Sequence, residues 1–253
     1  MRDIEVSAVL PVYNDLSALK VAVPRSLETL ETIAPGGFEV IIAEDGSTDG
    51  STEFVRAYEA DDPRVRLLHA DERLGRGRAL NRAFAAAKGS IVCYYDVDLA
   101  TDMEHLIELV GAIRDGCDVA TGSRLLAEST ITRSGGREIA SRGYNTLVRT
   151  ILGSRLHDHQ CGFKAFRRDR LLPLLPSVSA GHWFWDTEVL VRAQKNGYRI
   201  REFPVRWQQG EGTTVRKKDD RSVELCRELE IEDWMIPLLE QEPSLPEVKV
   251  MAR

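Results

Sequence analysis

Short, unbroken apolar runs alternate with stretches of helical spacing over the first half of the chain. VSAVLPVYN (6–14), 65–69, 90–95 and 118–121 read as strands, and FEVIIAEDGSTDGS (38–51) is a strand running into Asp-Gly-Ser turn chemistry. Between them, residues 17–33 carry Leu19, Val23, Leu27 and Leu30 at helical spacing, and 51–60, 78–88 and 104–114 read likewise as helices. Ser47, Thr48 or Asp49 is available to cap the helix of 51–60. This βαβ rhythm predicts an α/β fold, one domain with a mostly parallel mixed sheet flanked by helices.

After about residue 125 the pattern loosens. Residues 127–143 lack apolar periodicity and read as a loop leading into a helix through Tyr144 to Leu152. CGFKAFRRD (161–169) reads as a strand, 186–196 as a helix stopped by Asn196-Gly197, and YRIREFPVRW (198–207) as one further strand. A Gly/Thr/Lys-rich segment (210–218), an acidic amphipathic helix to Trp234 and a Pro/Glu tail follow. The expected division is a main domain over 1–218 and an acidic C-terminal helix and tail over 219–253. No internal repeat is present, and no apolar run approaches the roughly 20 residues that span a bilayer.

At 253 residues, the chain can bury roughly 70–75% of its unfolded surface, enough for one large domain. A net charge of −6 excludes a generally basic nucleic-acid binder. The charge is uneven: residues 124–170 hold ten Lys/Arg against four Asp/Glu, and 219–247 hold two against ten. One basic third in an acidic protein points to a local anionic ligand or a solvated basic face. Cys93, Cys117, Cys161 and Cys226 are scattered, with no CxxC pair and no leader pattern, which predicts neither zinc nor a disulfide framework and a cytosolic compartment.

Three strands end in polar clusters, PVYND (11–15), EDGSTD (44–49) and DVD (96–98), and open sheets bind ligands beyond the carboxyl ends of their strands. CYYDVDLATD (93–102) sets Asp96, Asp98 and Asp102 within a few residues, a repulsive arrangement unless solvent or a cation neutralises it. Residues i and i+2 of a strand share a face, so Asp96 and Asp98 can reach one ligand. Two hard oxygen donors suit Mg²⁺ or Mn²⁺, whose remaining shell is water and phosphate oxygen; the same pair also reads as exposed strand-end acids. Asp45, before Gly46, can accept hydrogen bonds from a base or ribose. LGRGRALN (74–81), with Arg76 and Arg78, offers a diphosphate a helix start. In CGFK, Cys161 and Phe163 read as core, Gly162 as a site of close packing, and Lys164 as a charge in need of a partner. Asp186 and Glu188 in WFWDTEVL can orient an acceptor or a basic side chain, or cap their helix. His157, His159 and His182 lack metal-ligand spacing and read as structural or surface residues.

Together these motifs resemble the family 2 glycosyltransferases of GT-A fold, and within them the polyprenyl-phosphate sugar synthases such as dolichyl-phosphate mannose and glucose synthases. The resemblance covers roughly residues 5–215. LPVYND looks like the family's opening P-x-Y-N-E, with Asp15 in place of Glu, and EDGSTDGS, GRGRALN, DVDLATD, GSR (122–124), DHQCGFKAF (158–166) and WDTEVL (185–190) follow in the family's order. It implies that Pro11, Tyr13, Asp15, Asp45 and Arg76 hold the nucleotide sugar, and that Asp96 and Asp98 hold Mg²⁺ or Mn²⁺ on its diphosphate. It further implies that Arg124, Arg137, Arg142 and Lys164 face the acceptor phosphate, with Asp98, Arg124 and Asp186 in catalytic roles. Arginine suits a phosphate because its planar fork makes two hydrogen bonds. There are departures: Ala100 stands where mannose synthases carry Gln, and Gly212-Thr213-Thr214 replaces the family's GSK.

The function so implied is inverting transfer of a hexose from a nucleotide diphosphate sugar, of UDP-glucose or GDP-mannose type, to a polyprenyl (dolichyl) phosphate. The expected place is the cytoplasmic face of a membrane, docked through the basic stretch 127–142, with the acidic tail making contacts with a membrane protein or a second copy. The alternatives are a family 2 enzyme with a saccharide acceptor, a sugar-1-phosphate nucleotidyltransferase, whose Gly-rich opening loop is missing here, and a non-catalytic nucleotide-sugar-binding subunit.

Overall fold

Residues 3–132 and 135–208 are described by a computed structural model, residues 135–140 through their backbone. The expected 210–218 segment and the acidic helix and tail over 219–253 lie outside the described residues. Along the chain run β1 (Val6–Val12), α1 (Leu16–Ile33), β2 (Phe38–Glu44), α2 (Ser51–Asp61), β3 (Val65–Leu68), α3 (Arg76–Ala86), β4 (Ile91–Tyr95), α4 (His105–Arg114) and β5 (Val119–Ser123). Each lies within a residue or two of the element its pattern predicts. There follow β6 (Thr130–Thr132), α5 (Gly135–Leu152), β7 (Phe163–Arg167), α6 (Arg168–Leu174), α7 (Trp185–Lys195), β8 (Ile200–Pro204) and β9 (Arg206–Gln208).

Seven strands form one sheet in the order β3-β2-β1-β4-β7-β5-β8, and β6 pairs with β9 in a second. The large sheet is parallel except for β7, which runs antiparallel between β4 and β5. This is the mixed, mostly parallel sheet that the alternation predicts. Burial on both faces explains why its strands read as continuous apolar runs.

Two corrections concern the second half. The 127–143 stretch expected as a loop contains β6 and the first turns of α5. Gly-Gly at 135–136 has poor helix propensity, and tertiary packing of Asn145, Val148 and Leu152 outweighs it. The single strand expected at 198–207 is two: β8 pairs with β5 and β9 with β6, with the change of sheet at Val205.

One face of the sheet presents Val6, Ala8, Leu10, Cys93, Tyr95, Phe163 and Ala165 to Leu19, Val23 and Leu30 of α1 and Leu106, Leu109 and Val110 of α4. On the other, Phe84 of α3, Tyr94 of β4, Phe166 of β7 and Trp185 of α7 form an aromatic cluster with ring centroids 5.7–6.4 Å apart. Strand alternation therefore puts Lys164, the register partner of Tyr94, on the aromatic face, where it is fully buried.

Candidate active site

The loops after β1, β2 and β4 meet at the carboxyl edge of the sheet. Pro11 lies in β1 beyond its pairing with β4, which ends at Val9–Tyr94, so its missing N–H breaks no bond to that neighbour. Asn14 takes the left-handed conformation (φ 50°), its N–H donates to Ser47 Oγ at 2.9 Å, and its Oδ1 accepts from Thr48 N at 2.7 Å. Asp15 caps α1 by accepting from Ala18 N at 3.1 Å. Asp49, one of the three predicted caps, accepts from the N–H and hydroxyl of Ser51 and, across the loops, from Leu16 N at 2.8 Å. The formal cap of α2 is Gly50.

Asp45 is buried and accepts from Leu74 N at 2.8 Å and Gly75 N at 3.0 Å. It thereby pins the turn that launches α3. Gly75 (φ 100°) is required there, because a Cβ would stand 2.6 Å from Gly181 O. Gly77 N donates to the same carbonyl at 2.9 Å. Arg73 lies with its guanidinium 4.2 Å from the ring centroid of Tyr13, which is 39% exposed, a flat platform at the rim.

Arg76, the first residue of α3, is the centre of a buried charge cluster. Its guanidinium donates to Asp96 Oδ1 at 2.6 Å and to Asp186 Oδ2. Tyr94 and Trp183 stand against it, 5.2 and 5.3 Å from their ring centroids. Asp186, in the first turn of α7, also accepts from Tyr94 OH and from Lys164 Nζ at 2.8 Å, and Lys164 donates to Cys161 O at 2.5 Å. Burial disfavours charge on Arg76, Lys164 and Asp186. It pushes Lys164 down to about 7 and Asp186 up to about 6, whereas on Arg76 the two carboxylates overcome burial and hold the proton more tightly than usual.

Asp96 and Asp98 face the opening beyond β4. Asp98 is pushed up to about 6 by burial and by the negative charges of Asp96 and Asp15. Ala100 N at 3.0 Å is its hydrogen bond. A carboxylate pair left short of positive charge is what a divalent cation relieves, so the residues present fit such an ion; among the described residues no third His, Cys, Asp or Glu completes a protein cage. Gly162 makes the arrangement possible, since a Cβ there would lie 2.0 Å from Asp96 Oδ2. Asp102 does not join the pair. It accepts from Arg206 Nε of β9 at 2.9 Å, so the positive partner of the third acid is a side chain.

Arg124, just after β5, uses its fork on Asp158: Nε to Oδ2 at 2.7 Å and Nη2 to Oδ1 at 2.9 Å, with Trp207 against the guanidinium. Burial works against the charge on Asp158, but Arg124 overrides it and holds the carboxyl at about 2. Arg142 is exposed on α5, and Arg137 sits one and a half turns before it on the same helix. Glu188 accepts from Ser179 N and Ala180 N at 2.9 and 2.8 Å and holds the loop against which Gly77 packs. His159, as expected, is structural: Nδ1 donates to Asn145 Oδ1 and Nε2 accepts from Ser154 Oγ, each at 2.7 Å.

Sequence reasoning did not assign Asp158, Tyr94 or Arg73. Asp158 stands in the quoted DHQCGFKAF, and the arginine it pairs with is 34 residues away. Tyr94 carried a signal only as the residue two before Asp96, on the same face of its strand.

Residues 7–172, from β1 into α6, match the Glycosyl transferase family 2 profile. The chain is 49% identical over 228 residues to glycosyltransferase AglD of Haloferax volcanii, covering 89% of this chain and 35% of that protein, so it spans about a third of that relative's length. It is 28% identical over 249 residues to the dolichyl-phosphate beta-glucosyltransferase of Saccharomyces cerevisiae, covering 90% of this chain and 74% of that one. Among solved structures, glucosyl-3-phosphoglycerate synthase from Mycobacterium tuberculosis, in complex with Mn²⁺, UDP and glucosyl-3-phosphoglycerate, aligns with a TM-score of 0.60 at 20% identity over 87% of this chain and 75% of that one. Mannosyltransferase PcManGT from Pyrobaculum calidifontis, in complex with GDP-Man and Mn²⁺, gives 0.54 at 20% identity over 85% and 59%. At these identities the structures speak for the GT-A fold alone. The profile spans the three strand-end loops and the Arg76 cluster's strands, and on that ground the chain belongs to glycosyl transferase family 2.

Proposed function

We propose that the chain transfers a hexose from a nucleotide diphosphate sugar to a polyprenyl phosphate. The observation that carries this reading is the Asp96–Asp98 pair beyond β4, with the Arg76 guanidinium on Asp96 and the charges of Asp96 and Asp15 acting on Asp98. Its support for the acceptor comes from the dolichyl-phosphate beta-glucosyltransferases among the relatives.

In this reading the base lies on Tyr13 and Arg73, within the frame set by Pro11, Asp15 and Asp45. Asp96 and Asp98 hold Mg²⁺ or Mn²⁺, which supplies Lewis-acid neutralisation of the leaving diphosphate when bound. Arg76 adds a second positive charge at the same place. A phosphate acceptor is already an anion, so its attack needs no general base. Asp186, buried behind Arg76 and held by Lys164 and Tyr94, then acts as a positioning residue. Lys164, fully buried, serves the acceptor side only through that carboxylate. Arg124 fixes the segment around Asp158, and Arg142 with Arg137 on α5 supplies positive charge for the acceptor phosphate. None of the described helices is long and apolar enough to cross a membrane; in this reading the lipid acceptor is met at a bilayer surface, on the cytoplasmic face.

The test is incubation with labelled UDP-glucose or GDP-mannose, a short polyprenyl phosphate and Mn²⁺ or Mg²⁺, followed by organic extraction. Label should enter the organic phase with one donor, stop with a chelator and stop in Asp98→Asn. Label that stays in water and moves only to added saccharides would replace the lipid reading with a saccharide acceptor.

A further inference from the structure

Arg76 stands where positive charge is wanted at Asp96, and it is held there from several sides. One guanidinium nitrogen reaches Asp96 Oδ1 at 2.6 Å, the other Asp186, and the rings of Tyr94 and Trp183 flank it. Lys164 and Tyr94 secure Asp186 from behind. Gly162 makes the room that this carboxylate occupies, since a Cβ there would lie 2.0 Å from Asp96 Oδ2. A divalent ion arriving alone at Asp96 and Asp98 therefore finds half of its protein charge already shared with a fixed cation, and no third carboxylate, thiolate or imidazole among the described residues. A diphosphate changes both conditions. Its oxygens complete the ion's shell, and its charge gives Arg76 a second anion to face.

We infer that Arg76 makes cation binding at Asp96 and Asp98 conditional on a nucleoside diphosphate, by suppressing the binding of the ion alone and coupling it to the nucleotide. This rests on the proposed reading of Asp96 and Asp98 as the ion's carboxylates. The coupling is reciprocal: whatever factor the nucleotide adds to metal affinity, the metal adds to nucleotide affinity.

The experiment is Mn²⁺ titration of the full chain, reading free Mn²⁺ by electron paramagnetic resonance, without nucleotide and with UDP or GDP, corrected for the Mn²⁺–nucleotide complex. In the wild type, Mn²⁺ should bind about tenfold or more tightly once the matching nucleotide is present. Arg76→Gln should bind Mn²⁺ alone about fivefold more tightly than wild type, and its enhancement by nucleotide should fall below about threefold. Arg76→Lys keeps a charge but loses the fork, and its coupling should fall to half or less; this variant decides if the glutamine form does not melt cooperatively. Unchanged Mn²⁺ affinity in Arg76→Gln, or unchanged coupling in Arg76→Lys, overturns the inference and leaves the metal site standing, provided Asp98→Asn lowers Mn²⁺ affinity. No Mn²⁺ binding by the wild type with either nucleotide removes the metal site, and this inference with it.

Discussion

Gly162 illustrates how one side chain's absence positions another. Its would-be Cβ falls on Asp96 Oδ2, so Gly162→Ala must push that carboxylate out of its present position. Transfer should drop about 10–100-fold, as for lost support of a metal ligand. The melting temperature should move by only a few degrees, because no core contact is removed. A melting temperature that collapses along with activity would make Gly162 a folding residue instead. Arg124 behaves in the opposite way. Arg124→Ala strands the fully buried Asp158, a change that costs about 3–5 kcal/mol in comparable pairs. Denaturant unfolding of the variant should show that loss, and an unaltered midpoint would mean that Asp158 finds another partner. The sequence identified Gly162 as a site of close approach and Arg124 as a charge with work to do. Which atoms each one meets was not legible, because both partners come from other elements.

At the scale of elements, α5 carries the membrane question. It buries Asn145, Val148 and Leu152, whereas Leu147 and Ile151 are 52% and 38% exposed, next to the exposed Arg142 and Arg149. An apolar pair flanked by arginines is the composition of a helix lying in an anionic interface. We propose that the docking expected of 127–142 also draws on these later turns of α5. Each aliphatic side chain buried in lipid contributes about 1.5–3 kcal/mol, so Leu147→Asp with Ile151→Asp should lower flotation with anionic vesicles at least about tenfold. Retained flotation would return the role to the arginines or to another segment. The helix was missed at its start because local propensity was poor there, and packing against the rest of the fold supplied what propensity lacked.

For the whole molecule, one buried histidine ties the second half together and sets an acid limit. His159 joins Asn145 of α5 to Ser154, and Gln194 of α7 accepts from Arg155 N at 2.8 Å beside them. Burial lowers His159 to about 4 from an ordinary 6.5. Between those values the unfolded chain binds the extra proton and the folded one does not, so stability falls as pH drops through that window. From pH 7 to pH 5 this group should remove about 2 kcal/mol in denaturant titrations, and His159→Gln should lose about that much less over the same range. Equal pH slopes for both proteins would rule it out. Apolar period and turn residues by themselves determined the order of elements from β1 to β5, the mixed, mostly parallel sheet and the three polar strand ends, because those signals are local in the chain. The order of motifs determined the family. Only the tertiary structure decided that Asp102 belongs to Arg206, that Asp45 pins a turn, that Lys164 is buried beneath Asp186, and that Arg76 bridges Asp96 to Asp186, 90 residues further along the chain. The physical reason is the same in each case: a buried charge must find its partner in space, and strand order, not sequence distance, sets which partners are near.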